Sequence, residues 1–213
     1  MTGTVVIDYG IVNLKNIVRG LEYVGGKVVT SVDPDRVLKA DRVILPGVGA
    51  FESGMKELRA LGMDEAVKDV AAAGRPVLGI CLGMQMLLAL SFEYGEHKGL
   101  DLIPGVVKSI PPGENGKPKR KIPHIGWNAL KHPPHAKSWG GSCLEKTPVG
   151  SFFYFVHSFM VLPEDSRHIL AQCVYEGVLV TAAIRKENIT GLQFHPERSG
   201  PVGLEVLSQF LTT

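Results

Sequence analysis

The sequence predicts an α/β protein: an open, doubly wound, mostly parallel sheet, with antiparallel strands added in the C-terminal half. Three observations predict it. Between Thr4 and Leu90, short apolar runs alternate with segments whose apolar residues recur at helical spacing, the order of right-handed βαβ units. One run, Val77-Leu78-Gly79-Ile80, leads through Cys81-Leu82-Gly83 straight into a helical pattern, a sharp strand-to-helix corner. From about Leu102 the helical patterns stop, and apolar runs punctuated by Pro and Gly follow one another, as antiparallel strands do.

Thr4 to Ile7 reads as the first buried strand. Leu14, Ile17, Val18, Leu21 and Val24 then mark one helical face, capped by Asn13 and ended by Gly25-Gly26. Lys27 to Thr30 is a second strand, and Asp33-Pro34 opens a short helix with a capping carboxylate and a first-turn proline. Arg42 to Leu45 is a third strand, ending in Pro46-Gly47-Val48-Gly49. Phe51 to Leu61 and Met63 to Ala73 are helical, Pro76 to Ile80 enters the corner, and Leu82 to Leu90 leaves it as a helix. In the second half, Ser151 to Val161, Ile169 to Val174, Val178 to Arg185 and Gly191 to Phe194 read as strands, and Gly203 to Leu211 as a closing helix. The whole chain, 1–213, reads as one domain.

Composition narrows the function classes. A hydrophobic content of 45% with 21% charged residues is that of an ordinary globular protein, and a net charge of +2 gives no pull toward nucleic acid or membrane. Cys81, Cys143 and Cys173 form neither a disulfide framework nor a zinc pattern, so no metal or cofactor is expected. An odd, sparse set of thiols, without a signal peptide or spanning segment, leads to the expectation of a cytoplasmic protein. The basic loop of Lys117, Lys119, Arg120 and Lys121 is either a solvated surface or a phosphate or partner contact.

Gly79-Ile80-Cys81-Leu82-Gly83 has the form of a nucleophile elbow with cysteine as nucleophile. Glycines flank the corner because a Cβ would crowd it, and the following helix N-terminus favours thiolate. A nucleophilic thiol needs a base, and the base needs an orienting group. Phe194-His195-Pro196-Glu197 supplies both: His195 at a strand's end, with Glu197 able to fix its tautomer. Two backbone N–H groups would hold the oxyanion. One is the amide of Leu82; the other comes from the Gly47–Gly49 turn, placed by topology at the same carboxyl edge of the sheet. Alone, each signal has an ordinary explanation: a buried cysteine, a surface His–Glu pair, a strand-ending turn.

Taken together these residues resemble the class I (triad) glutamine amidotransferases, in which Gly-X-Cys-X-Gly-X-Gln and His-Pro-Glu occur in this order. The resemblance spans the chain from Val6 to the last helix. Within that family the chain is similar to the glutaminase subunits of imidazole glycerol phosphate synthases, on four stretches: Asp8 to Leu14, Leu45 to Phe51, Lys121 to Asn128, and Tyr154 to Phe159. One departure is Val12, where the first loop often has glycine.

The resemblance implies the following roles. Cys81 attacks the side-chain amide of L-glutamine to form a γ-glutamyl thioester. His195 protonates the departing ammonia and then helps water hydrolyse the thioester, and Glu197 supports His195. Gly47, Gly49 and Leu82 lie around the oxyanion, while Gln85, His157, Ser158 and Phe159 hold glutamine. Gln85 follows Cys81 by one helical turn and so faces the same way. The ring of His157 could equally be a satisfied strand side chain. The chain has no synthase module and no P-loop. The resemblance therefore implies a second subunit, a (β/α)8-barrel synthase that takes up the ammonia in histidine biosynthesis as the other half of a heterodimer. Asn13, Pro123, His124 and Trp127 are expected to face it, the alternative for Trp127 being this protein's own core. Two other functions share the signals: the glutaminase of pyridoxal phosphate synthesis, and a stand-alone cysteine hydrolase or idle binding module.

Overall fold

A computed structural model describes residues 3–10, 14–113 and 120–213. In the first half its elements are β1 (Thr4–Ile7), α1 (Lys15–Tyr23), β2 (Val28–Ser31), α2 (Pro34–Val37), β3 (Arg42–Leu45), α3 (Phe51–Ala60), α4 (Met63–Ala72), β4 (Val77–Ile80) and α5 (Leu82–Met86). Then come β5 (Leu88–Ser91), β6 (His97–Lys98), β7 (Ile103–Ser109), β8 (His124–Ala129), β9 (Phe152–His157), β10 (Phe159–Pro163), β11 (Ile169–Tyr175), β12 (Val178–Lys186), β13 (Ile189–Leu192) and α6 (Gly200–Phe210).

The main sheet has seven strands in the order β11-β12-β13-β4-β3-β1-β2. From β2 to β13 all neighbours are parallel, while β12 and β11 extend the sheet antiparallel beyond β13. Residue alternation divides the strands between two apolar layers. Val5, Ile7, Val43 and Leu45 pack with residues of α2, α3 and α4, whereas Val6, Ile44, Leu78 and Ile80 pack with residues of α1 and α6. Side chains at period two therefore serve both faces of a doubly wound sheet. Asp33 caps α2 by accepting from the Asp35 amide, as its sequence position predicts. The capping role expected of Asn13 lies outside the described residues.

Three differences from the sequence reading have physical causes. The helix expected over Leu82 to Leu90 ends at Met86, and Leu88 to Ser91 instead pairs with β6 and β7. An unbroken apolar run satisfies either period, and a second sheet claims its end. Ser151 to Val161 is two strands interrupted at Ser158: β9 joins β8 in a two-stranded ribbon, and β10 joins β7. Among the described strands that follow Leu102, β11 and β12 thus extend the main sheet, apart from β13 itself. The rest form a four-stranded sheet, β10-β7-β5-β6, and the ribbon. Strand β13 ends at Leu192, two residues earlier than expected, so Gln193 and Phe194 lie between the strand and His195.

Candidate active site

The topology brings the sequence-predicted residues to one edge. Strand β4 is flanked by β3 and β13, both parallel to it, so all three deliver their carboxyl ends side by side. Cys81 follows β4, the Gly47 turn follows β3, and His195 follows β13. This is the edge at which open α/β sheets bind ligands.

At Cys81 the backbone has φ +55° and ψ −110°, a conformation that costs a side-chain-bearing residue about 1–3 kcal/mol. It is held by the Cys81 amide donating to the Leu192 carbonyl (2.7 Å) and by close packing of both glycines. A Cβ on Gly83 would lie 1.8 Å from the Leu45 carbonyl oxygen, and one on Gly79 would lie 2.7 Å from the Gly83 carbonyl. The sulfur is nearly buried; the thiol donates to the Val156 carbonyl (3.9 Å) and accepts from Gln193 Nε2 (3.8 Å).

His195 Nδ1 meets Glu197 Oε1 at 2.8 Å, with both side chains 6% exposed. The backbone of His195 is pinned by its amide donating to the Tyr154 carbonyl (2.9 Å) and its carbonyl accepting from Ser199 Oγ (2.7 Å). Burial works against charge on this ring, but hydrogen bonds and charge from Cys81 and Glu197 outweigh it and raise its pKa. Nε2 makes no hydrogen bond within normal limits, yet lies close enough to the sulfur to feel it. That leaves one nitrogen oriented by a carboxylate and the other free toward the nucleophile, the division a Cys–His–Glu triad needs.

Cys81 and His195 open into a cavity of about 350 Å³, also lined by Val48, Gly49, Leu82, Gln85, Pro123 and the segment from Val156 to Phe159. Gln85 is buried, and its Nε2 donates to the Phe159 carbonyl and to Gln193 Oε1, each at 3.2 Å. Gly47 has no room for a side chain: a Cβ would lie 2.7 Å from Tyr9 Oη and 2.8 Å from Leu82 Cβ. Its carbonyl accepts from the Leu82 amide at 3.2 Å, so one expected oxyanion donor is engaged within the protein.

His157 lines the cavity, but both its ring nitrogens are taken, Nδ1 by the Phe159 carbonyl (2.7 Å) and Nε2 by His124 Nδ1 (2.9 Å). Only its backbone is left to meet a ligand with polar groups. Of the residues expected to face a partner, Pro123 is exposed and Trp127 is 53% exposed on the ribbon, which removes the core alternative for Trp127. His124 is a correction. It is buried between the rings of Phe155 and Tyr175, because strand alternation sends Ile125 and Trp127 outward and His124 inward. Asn13, Val12, Lys117 and Lys119 lie outside the described residues.

Sequence reasoning missed three residues here. Gln193 is fully buried against the sulfur, and the available signal was one amide in an otherwise apolar run before His195. Tyr9 donates from Oη to the Pro46 carbonyl (2.7 Å), and burial raises its pKa, with Cys81 adding to the effect. Glu93 also lines the cavity and caps α3 by accepting from the Phe51 amide (2.7 Å); burial raises its pKa against that bond and the charge of His97.

Comparison with known proteins agrees with this geometry. The family model for class-I glutamine amidotransferases matches residues 5–213. Among curated proteins, the imidazole glycerol phosphate synthase subunit HisH 1 of Legionella pneumophila (strain Paris) is 47% identical over 99% of both chains. The subunit HisH of Geobacter sulfurreducens is 44% identical over 99% of this chain and 98% of its own. A crystal structure of a glutamine amidotransferase superposes with a TM-score of 0.72, covering 98% of this chain and 99% of that one, at 14% identity. The chain belongs to the class I glutamine amidotransferases, enzymes with a cysteine nucleophile.

Proposed function

We propose that this chain, acting as one domain over residues 1–213, is the glutaminase subunit of an imidazole glycerol phosphate synthase. It hydrolyses glutamine and passes the ammonia to a (β/α)8-barrel synthase subunit. The observation that carries this reading is the meeting of Cys81, the His195–Glu197 pair and the Gly47 turn on one parallel sheet edge. The names and full-length coverage of the curated relatives support the particular subunit.

In the first half-reaction, Sγ of Cys81 bonds to the amide carbon of glutamine, and the carbonyl electron pair moves onto oxygen. The thiol proton already rests on His195 Nε2 when attack begins, as the raised pKa of that ring favours. Collapse of the tetrahedral adduct breaks the C–N bond, and His195 returns the proton to the leaving nitrogen, giving ammonia and a γ-glutamyl thioester. Water, deprotonated by His195, then releases glutamate and restores the thiolate beside the protonated ring. Glu197 keeps the proton of neutral His195 on Nδ1 and stabilises the imidazolium. Within the cavity, Glu93 is suited to the α-ammonium of glutamine, and the backbone from His157 to Phe159 to its amide.

The Gly47–Val48 peptide gives this cycle a resting state. Its carbonyl occupies the Leu82 amide that the oxyanion needs. Turning that peptide would withdraw the oxygen and present the Val48 N–H beside the Leu82 amide, and Gly49, at φ +97°, gives the chain room to follow. The partner docks on the face carrying Trp127 and Pro123 and favours the turned peptide. This coupling prevents idle loss of glutamine.

Glutamate release from glutamine tests this reading, measured with the chain alone and then with the barrel subunit and its phosphoribulosyl-formimino carboxamide nucleotide. A large rise on mixing is expected. Cys81→Ala should lose hydrolysis by at least about 10⁴-fold while synthesis from added ammonium persists. Full activity alone, or none with that barrel, overturns the assignment of partner. Retained hydrolysis in Cys81→Ala overturns the chemistry.

A further inference from the structure

The hydrogen bonds that end on the Cys81 sulfur have a direction, and a carbonyl sets it. The Phe159 carbonyl can only accept. The side chain of Gln85 touches it at 3.2 Å and must therefore present its NH₂ group there, not its oxygen. The same NH₂ group meets Gln193 at 3.2 Å, so Gln193 must present its oxygen to Gln85. That leaves the NH₂ of Gln193 turned to the sulfur, 3.8 Å away. Neither amide can be reversed without setting oxygen against oxygen.

The same carbonyl orders a second branch. It accepts from His157 Nδ1 at 2.7 Å, so His157 carries its proton on Nδ1 and offers a bare Nε2. His124 Nδ1, 2.9 Å away, must be the donor there, which leaves His124 Nε2 bare to accept from Asn128 Nδ2 at 2.8 Å. Burial favours neutral rings in this branch, lowering His124 to about 4 and His157 to about 3. Asn128 lies on β8, next to exposed Trp127.

We propose that Gln193 is a further residue of the reaction, donating its amide N–H to the Cys81 sulfur, and that its orientation is fixed through Gln85 by the Phe159 carbonyl. Gln193 touches the reacting atom, so its action is direct; Gln85 is a positioning residue. A donor at the sulfur stabilises negative charge before attack and holds the side chain toward the substrate carbon. The inference deepens the glutaminase reading and rests on it.

The test is the rate of Cys81 alkylation by iodoacetamide at pH 7, read by mass spectrometry on the full chain, with kcat and KM for glutamine measured in the presence of the barrel subunit. The other titratable groups facing Cys81, His195 with Glu197 behind it and Tyr9 from the end of β1, stay unchanged. Gln193→Met, close in shape but without a donor, should slow both alkylation and kcat roughly tenfold, with KM little changed. Asn128→Asp leaves the packing around the sulfur untouched. It replaces a donor by an acceptor in the second branch only, and the Phe159 carbonyl still accepts from Gln85, so alkylation should stay at the wild-type rate. Wild-type rates in a folded Gln193→Met protein overturn the role of Gln193. Slowed alkylation in a folded Asn128→Asp protein overturns the assignment of that direction to the Phe159 carbonyl alone. Hydrolysis that survives in Cys81→Ala overturns the glutaminase reading itself, so the failures are distinguishable.

Discussion

The ends of β4 and β13, with Cys81 and His195, and the β8–β9 ribbon, with His124 and His157, are almost equally closed to water. Their histidines are pushed in opposite directions. Burial opposes charge in both regions, but His195 faces a carboxylate and a sulfur, and its pKa rises to about 10. His157 faces a carbonyl and a neutral ring and falls to about 3. Burial is the largest cause at both rings: at His157 it prevails over the upward pull of the Phe159 carbonyl, and at His195 it is overcome by the carboxylate and the sulfur.

Removing that partner should break the contrast most visibly. Glu197→Gln leaves shape and size nearly unchanged but takes the charge from behind His195. Glutamine hydrolysis with the barrel subunit present should fall about 10²–10⁴-fold, and the high-pH limb of its profile should move to lower pH. An unchanged profile would show that Glu197 does not tune His195.

The two regions also differ in how they hold their glycines. A methyl group on Gly83 collides with the Leu45 carbonyl, whereas Gly126 of β8 has φ +141° with nothing within 4 Å of a built Cβ. Gly83→Ala should cost more than about 3 kcal/mol, and Gly126→Ala about 1–2 kcal/mol from backbone conformation alone. Urea unfolding of the two variants checks the ranking, and equal losses would contradict the crowding assigned to the elbow.

The last contrast is in pH-dependent stability. His124 has a folded pKa of about 4, below its unfolded value near ~6.5. Between those pH values the unfolded chain binds a proton that the folded one does not, so stability falls as pH drops from about 6.5 toward 4. His195 behaves in the opposite sense: its contribution is complete below pH ~6.5 and is lost as pH rises toward about 10. His124→Gln should therefore flatten the acid-side slope by up to about 1.4 kcal/mol per pH unit. A slope identical to wild type between pH 6.5 and 4 would mean that His124 titrates normally in the folded protein.

Much of this site is legible in the sequence because its constraints are local. The corner at Cys81 needs two glycines at fixed offsets, and an imidazole beside a proline and a carboxylate is a self-contained unit. The alternation of short strands with helices gives the parallel core and, through it, a common edge for Gly47, Cys81 and His195. Less is legible where one residue type fits several environments. The apolar run from Leu82 to Leu90 satisfies both a helix and a strand, and pairing with β7 decides between them.

Sequence by itself determined the candidate nucleophile, its candidate base and the parallel sheet, since each follows from steric and hydrogen-bonding needs within a few residues. Only the tertiary structure decided which way each side chain of the ribbon points, that His124 turns inward while Trp127 turns out, and that Gln193 reaches the sulfur. Those outcomes depend on which distant backbone groups come within about 3 Å, and on the fact that a carbonyl such as that of Phe159 accepts and never donates.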